Sequence, residues 1–160
     1  WADGLGTFDV VLANFGVLNC ITDLDVFGRA LIDLVGSAGV LVAVPMGKVV
    51  PWDALPKLVR LNIAGAKRRW SSVRHIDPAY AGLTIRYLSV NDVTAELGSA
   101  WSVRRAEALG WALPTFERRA LVERHPRVSR RLAQIDRAAG RAVARGGIGD
   151  HQIIVMEPTA

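Results

Sequence analysis

An α/β fold is what the sequence predicts, and three observations predict it. The run Phe8-Asp9-Val10-Val11-Leu12-Ala13 is short and nearly continuously apolar, which suits a strand buried on both faces of a parallel sheet. Val40-Leu41-Val42-Ala43-Val44 has the same character. Between them Leu24, Phe27, Leu31 and Leu34 recur at helical spacing and make one apolar stripe. Strand, helix and strand at this spacing form a βαβ unit with a right-handed crossover.

The remaining elements follow in chain order. Thr22 offers the helix an N-cap, with Asp25 in the capping-box position, and Gly36 to Gly39 end it. Trp52 to Trp70 reads as one helix with Leu55, Leu58, Val59 and Ile63 on its inner face; Pro56 is tolerable only in its first turn. Ser71 to Gly82 is loop-like, and Thr84 to Leu88 is a short extended piece. Ser89 caps a brief helix with Val90, Val93 and Leu97 inward and Gly98 as its stop. Trp101 and Val103 alternate with Ser102 and Arg104, as in a half-exposed strand. Phe116 to Arg145 is Arg-rich and helical, broken at Pro126, with Val128, Leu132, Ile135, Ala139 and Ala142 as the inner stripe of its second part. Gln152 to Met156 is a last strand.

Composition narrows the class. A hydrophobic fraction of 51% over 160 residues argues for one packed domain and against disorder. No apolar run approaches the ~20 residues of a membrane-spanning helix, so no membrane partner is expected. The chain opens at Trp1 without a signal sequence or an initiator methionine, and a truncated reading frame is the expectation. Cys20 is the single cysteine, which rules out an internal disulfide framework and fits a reducing cytoplasm. Together with His75, His125 and His151 it shows no metal-ligand spacing. The net charge of +5 gathers in Lys67-Arg68-Arg69, Arg118-Arg119 and Arg130-Arg131. Phosphate contact and solvated helix faces both account for such runs. Without an RNA-binding aromatic motif or a zinc finger the second is preferred, and no nucleic-acid partner is expected.

The glycines do not form a phosphate loop. Gly4 and Gly6 precede a strand, and Gly36 with Gly39, like Gly146, Gly147 and Gly149, enter one. A nucleotide loop needs strand, glycines, then helix, so that the helix N-terminus faces the anion. There is no nucleophile elbow and no carboxylate pair placed for glycoside hydrolysis. What remains is the loop after the first strand, Asn14-Phe15-Gly16-Val17-Leu18-Asn19-Cys20. It lies at the carboxyl end of a strand, where ligands sit in open α/β sheets. Asn14 can contact a polar ligand, Phe15 can pack on a flat one, and Gly16 allows close backbone approach. A plain strand–helix turn in which Asn14 bonds locally is the competing account.

The stretch from Phe8 to Cys20 resembles the fourth strand and following loop of class I S-adenosylmethionine-dependent methyltransferases, of the subgroup often labelled type 11. Phe27, Ala30, Leu31 and Leu34 match the next helix, and Gly39 to Val44 the fifth strand, although Gly36-Ser37-Ala38-Gly39 stands where the family usually has a Pro-Gly-Gly turn. Pro45-Met46-Gly47, Trp52, Arg69-Trp70, Tyr87, Ser89, Gly110, Pro114 and Gly149-Asp150-His151 follow in the family's order.

The resemblance implies a partial Rossmann-like methyltransferase sheet: the fourth to seventh strands, the last running antiparallel. Residues 1–160 would be the C-terminal part of one domain, with 46–82 a substrate-lid insertion. The missing N-terminal half of that domain, with its glycine-rich loop, would be the chain's partner, and the chain alone would be inactive. S-adenosylmethionine is the implied cofactor, with Asn14, Phe15 and Gly16 as the surviving wall of its pocket. A small-molecule methyl acceptor is the implied substrate, with Trp52, Trp70 and Tyr87 around it. No catalytic residue is assigned; Tyr87 and His75 are candidate general bases, and His151 reads as structural. The competing reading is a degenerate half-domain acting only through protein association.

Overall fold

Val10–Ala13 (β1) and Val40–Ala43 (β2) pair in parallel, with Val10 opposite Val40 and Ala13 opposite Ala43. The structure is a computed structural model that describes residues 4, 6–67, 69–70, 75–77, 83–115 and 118–159, leaving aside the side chains of 75–77 and 83. The last strand, His151–Pro158 (β6), runs antiparallel to β2 on one side and to Trp101–Leu109 (β5) on the other. The sheet order is therefore β1-β2-β6-β5. Three strands point one way and β6 opposes them.

The helix between β1 and β2 is Leu24–Val35 (α2). Its predicted stripe is inward: Leu24, Leu31 and Leu34 are buried and Phe27 is half-buried against the core. The cap lies one residue later than expected, because the Asp23 carboxylate accepts from the Val26 N–H at 3.0 Å. Asp and Thr both suit that position. Val90–Leu97 (α5) packs against α2. Ser89 caps it as expected, and Asp92 completes a reciprocal capping box. Both helices cover the sheet face carrying Ala13, Leu41, Ala43, Ile154 and Met156. The Trp101 indole, deep in this layer, donates to the Gly28 carbonyl at 3.1 Å.

Several expectations need correction. β1 was read as buried on both faces, yet Val10 and Leu12 are 57% and 60% exposed. It is an edge strand among the described residues, and nothing there covers its outer side. The opposite sheet face as a whole, with Val10, Leu12, Val40, Val42, Ile153 and Val155, is apolar but not buried.

The single helix from Trp52 to Trp70 is two, Pro51–Val59 (α3) and Ile63–Lys67 (α4), separated where Leu61 takes a φ of 57°. Pro56 lies inside α3, beyond its first turn. The predicted inner face, Leu55, Leu58, Val59 and Ile63, is exposed; Ala54 is the buried residue of α3. Part of the loop expected from Ser71 to Gly82 is strand: His75–Asp77 (β3) pairs with Leu83–Ile85 (β4). The rest of that stretch, residues 71–74 and 78–82 of the expected lid over 46–82, lies outside the described residues. β5 extends five residues beyond Arg104, to Leu109.

Pro126 does divide the Arg-rich segment, into Arg119–Arg124 (α6) and Pro126–Ala144 (α7). The expected stripe is rotated, however. Val128, Ile135 and Ala142 are exposed, and Asp136, Gly140 and Ala144 are buried. The reason is close approach to β5: a methyl group on Gly140 would lie 2.8 Å from the Ala108 carbonyl oxygen. An apolar pattern has no way to favour Asp or Gly as the inner residue.

Candidate functional site at the carboxyl edge of the sheet

β1, β2 and β5 end at one edge, and β6 begins there. The loop after β1 opens with a tight turn. The Asn14 side-chain oxygen accepts from the Phe15 N–H at 2.8 Å, the local bond that the competing account expected. Phe15 has a φ of 53° and is 89% exposed. Gly16 is buried at φ 72°, in the left-handed region where a side chain is strained. A methyl group there would also crowd Met46 Cε at 3.0 Å. Val17–Cys20 (α1) follows as one helical turn where a plain loop was expected.

Asn19 closes the turn and was not singled out from sequence. It is 1% exposed. Its Nδ2 donates to the Met46 and Arg86 carbonyls at 3.1 and 2.7 Å, and its Oδ1 accepts from the Met46 N–H at 2.8 Å. One amide therefore joins the loop after β1, the loop after β2 and the segment after β4. Its signal was a polar residue set among apolar neighbours in a strand-end turn. Burial pushes the nearby Cys20 thiol up, away from a reactive thiolate.

A second group of residues stands beyond Met46, which bridges to His151. The Arg69 guanidinium lies 4.7 Å over the Tyr87 ring. It also reaches Asp53 of α3 at 3.8 Å and Asp150 at 3.5 Å. Arg69 is thus no solvated charge, as the basic-run reading had it, but the hub of a half-buried cluster. Trp52, beside Asp53, donates its indole N–H to the Ala112 carbonyl at 2.7 Å, which anchors α3 to the loop after β5. Trp70 is 40% exposed next to Arg69. The edge thus gathers Tyr87, Arg69, Asp53 and Asp150, with Trp52 and Trp70 adjoining in sequence. The side chain of His75 lies outside the described residues.

His151 was read as structural, and it does open β6. Its Nδ1 also lies 3.3 Å from Asp150 Oδ2, so the carboxylate orients a half-exposed imidazole. The bond from His151 holds the Asp150 carboxyl below its ordinary value of 3.8; burial opposes this, and electrostatic attraction to His151 and Arg69, with the bond from Arg69, adds to the lowering. A lowered folded pKa means the stabilisation is complete above the unfolded value and is lost as pH falls through the folded one. Asp150→Asn is expected to destabilise the protein at neutral pH, by an amount that shrinks as the solution is acidified past the unfolded carboxylate range. Urea midpoints of both proteins across that range measure it; a difference independent of pH would remove Asp150 from the acid response.

No group of three or more metal-ligating side chains occurs among the described residues, nor is any helix among them long and apolar enough to cross a membrane. Neither a family model nor a curated protein sequence matches the chain.

Proposed function

We propose that the chain is the C-terminal part of an S-adenosylmethionine-dependent methyltransferase domain acting on a small molecule. The observation that carries this reading is the sheet. Three strands share one direction and the chain's last strand opposes them, as the resemblance of the sequence implies. Two further features support it. The open face of β1 is apolar and its outer edge is unpaired among the described residues, as expected of a strand with more sheet and helix beside it. The polar and aromatic candidates collect at the carboxyl edge, where such sheets bind ligands.

The residues after β1 fit one wall of a cofactor pocket. Gly16 brings the backbone close, the Phe15 ring is open to a flat partner, and the Asn14 Oδ1 is committed to its turn, which leaves Nδ2 as its ligand-facing donor. The cofactor, when bound, supplies an already activated methyl group, so the protein chiefly aligns donor and acceptor. Tyr87 and the Arg69 guanidinium above it give an acceptor a flat polar surface. The Asp150–His151 pair offers an oriented imidazole for an acceptor that must lose a proton.

The coding sequence upstream of Trp1 tests the reading first: an in-frame strand, Gly-x-Gly loop and helix are expected, and their absence would end it. In the longer protein, Asn14→Leu is expected to weaken cofactor binding roughly tenfold to a hundredfold, the effect of losing one buried hydrogen-bond partner. Titration calorimetry on the folded variant measures this. An unchanged dissociation constant would make Asn14 a turn residue only.

A further inference from the structure

Away from the carboxyl edge, four arginines converge on one hollow. Arg104 and Arg105 of β5 face Arg141 and Arg145 at the end of α7 across a cleft of about 410 Å³. A neighbouring hollow of about 400 Å³ shares Val103 and Arg145 and adds Asn91 and Thr94 of α5. Glu107 is the carboxylate in reach, 2.8 Å from Arg105 and 4.0 Å from Arg141. Arg104 and Arg145 have no carboxylate partner among the described residues. The cleft therefore holds four positive charges against one negative.

Helix C-termini favour cations, which accounts for Arg141 and Arg145. It does not account for two consecutive arginines arriving from a strand. They arrive through a β-bulge: Val103 pairs with Met156 and Arg105 with Val155, so Arg104 is an extra residue in the ladder. Bulges re-aim side chains, and here both arginines line the same cleft.

We propose that this cleft binds a small phosphorylated anion. Guanidinium forks match phosphate oxygens two bonds at a time, and the volume suits a small molecule. A nucleic-acid backbone would call for a row of cations along an open surface, whereas these side chains surround one concavity. The inference is independent of the methyltransferase reading.

Titration of inorganic pyrophosphate into the protein at low salt tests it, with a short generic DNA duplex as the second ligand. Saturable pyrophosphate binding is expected. Arg104→Gln combined with Arg145→Gln is expected to weaken it about tenfold or more. Arg130→Gln with Arg131→Gln removes the same charge from α7 outside the cleft and is expected to leave binding nearly unchanged. Circular dichroism melts verify that both variants fold. Absence of saturable binding to the unmutated protein would overturn the proposal. So would equal weakening by both double variants, or tight duplex binding in which pyrophosphate does not compete.

Discussion

Asn19→Leu is expected to destabilise the protein by about 3 kcal/mol or more while scarcely changing side-chain volume. The wild-type amide makes three hydrogen bonds, all to main-chain groups of Met46 and Arg86. Leucine fills the same space and leaves the Met46 N–H and the Arg86 carbonyl without their partner, while the Met46 carbonyl keeps the Leu88 N–H at 3.1 Å. The residue is almost fully buried, so water does not readily replace the amide. Each orphaned buried group costs about 1–3 kcal/mol, against a total stability of about 5–15 kcal/mol for a domain. The variant should therefore unfold at much lower urea concentration. The damage should be local in kind: the loop after β1 loses its tie to the loop after β2, so amide exchange at Met46 should accelerate more than in α2. A loss below about 1 kcal/mol would mean that the three bonds contribute nothing net over a leucine packed in their place.

The parts of this fold that were legible in the sequence are those governed by nearest neighbours. The stripe of α2 repeats every turn and turns inward the residues it names, three of them buried and Phe27 half-buried. Ser89 and Gly98 bracket α5 because a capping hydroxyl and a terminal glycine act within one turn. The break between α3 and α4 was not legible, since it rests on Leu61 at positive φ, where neither glycine nor proline marks the chain. Nor was the inner line of α7, where contact distance to β5 selects Gly140 and hydrogen bonding selects Asp136.

The candidate site divides in the same way. Asn14, Phe15 and Gly16 were found because a strand end and its loop are adjacent in sequence. Arg69 and Asp150 are 81 residues apart, and their meeting depends on how β6 enters the sheet beside β2. Asn19 lies in the same loop, yet its sequence neighbours do not mark it, because its partners come from two distant segments. Long-range polar pairing leaves no periodic trace, and at this edge it determines the geometry.

Asp136→Ala is the second large effect expected, about 3–5 kcal/mol of lost stability, because a buried carboxylate here replaces water for several main-chain donors at once. Its Oδ2 accepts from Gly110 N–H at 3.0 Å, and its Oδ1 accepts from Ala112 at 2.7 Å and more weakly from Leu113 at 3.4 Å. The Asp136 carbonyl also accepts from the Trp111 indole at 3.1 Å, a bond that alanine retains. Hydrogen bonds to a charged acceptor contribute about 1.5–3 kcal/mol each, so the two short ones dominate. Asp136→Asn separates charge from shape. Its oxygen still accepts from Ala112, but its NH2 group meets the Gly110 N–H donor to donor, and an intermediate loss is expected. The effect should reach the carboxyl edge, because Ala112 is also the residue whose carbonyl holds the Trp52 indole. In Asp136→Ala the Trp52 indole N–H should exchange with solvent faster, under conditions where the sheet is still folded. Chemical denaturation gives the first quantity and hydrogen exchange by NMR the second. If Asp136→Ala lost less than about 1 kcal/mol and the Trp52 indole kept its protection, the loop after β5 would be held by its own backbone, and α7 would be only a cover.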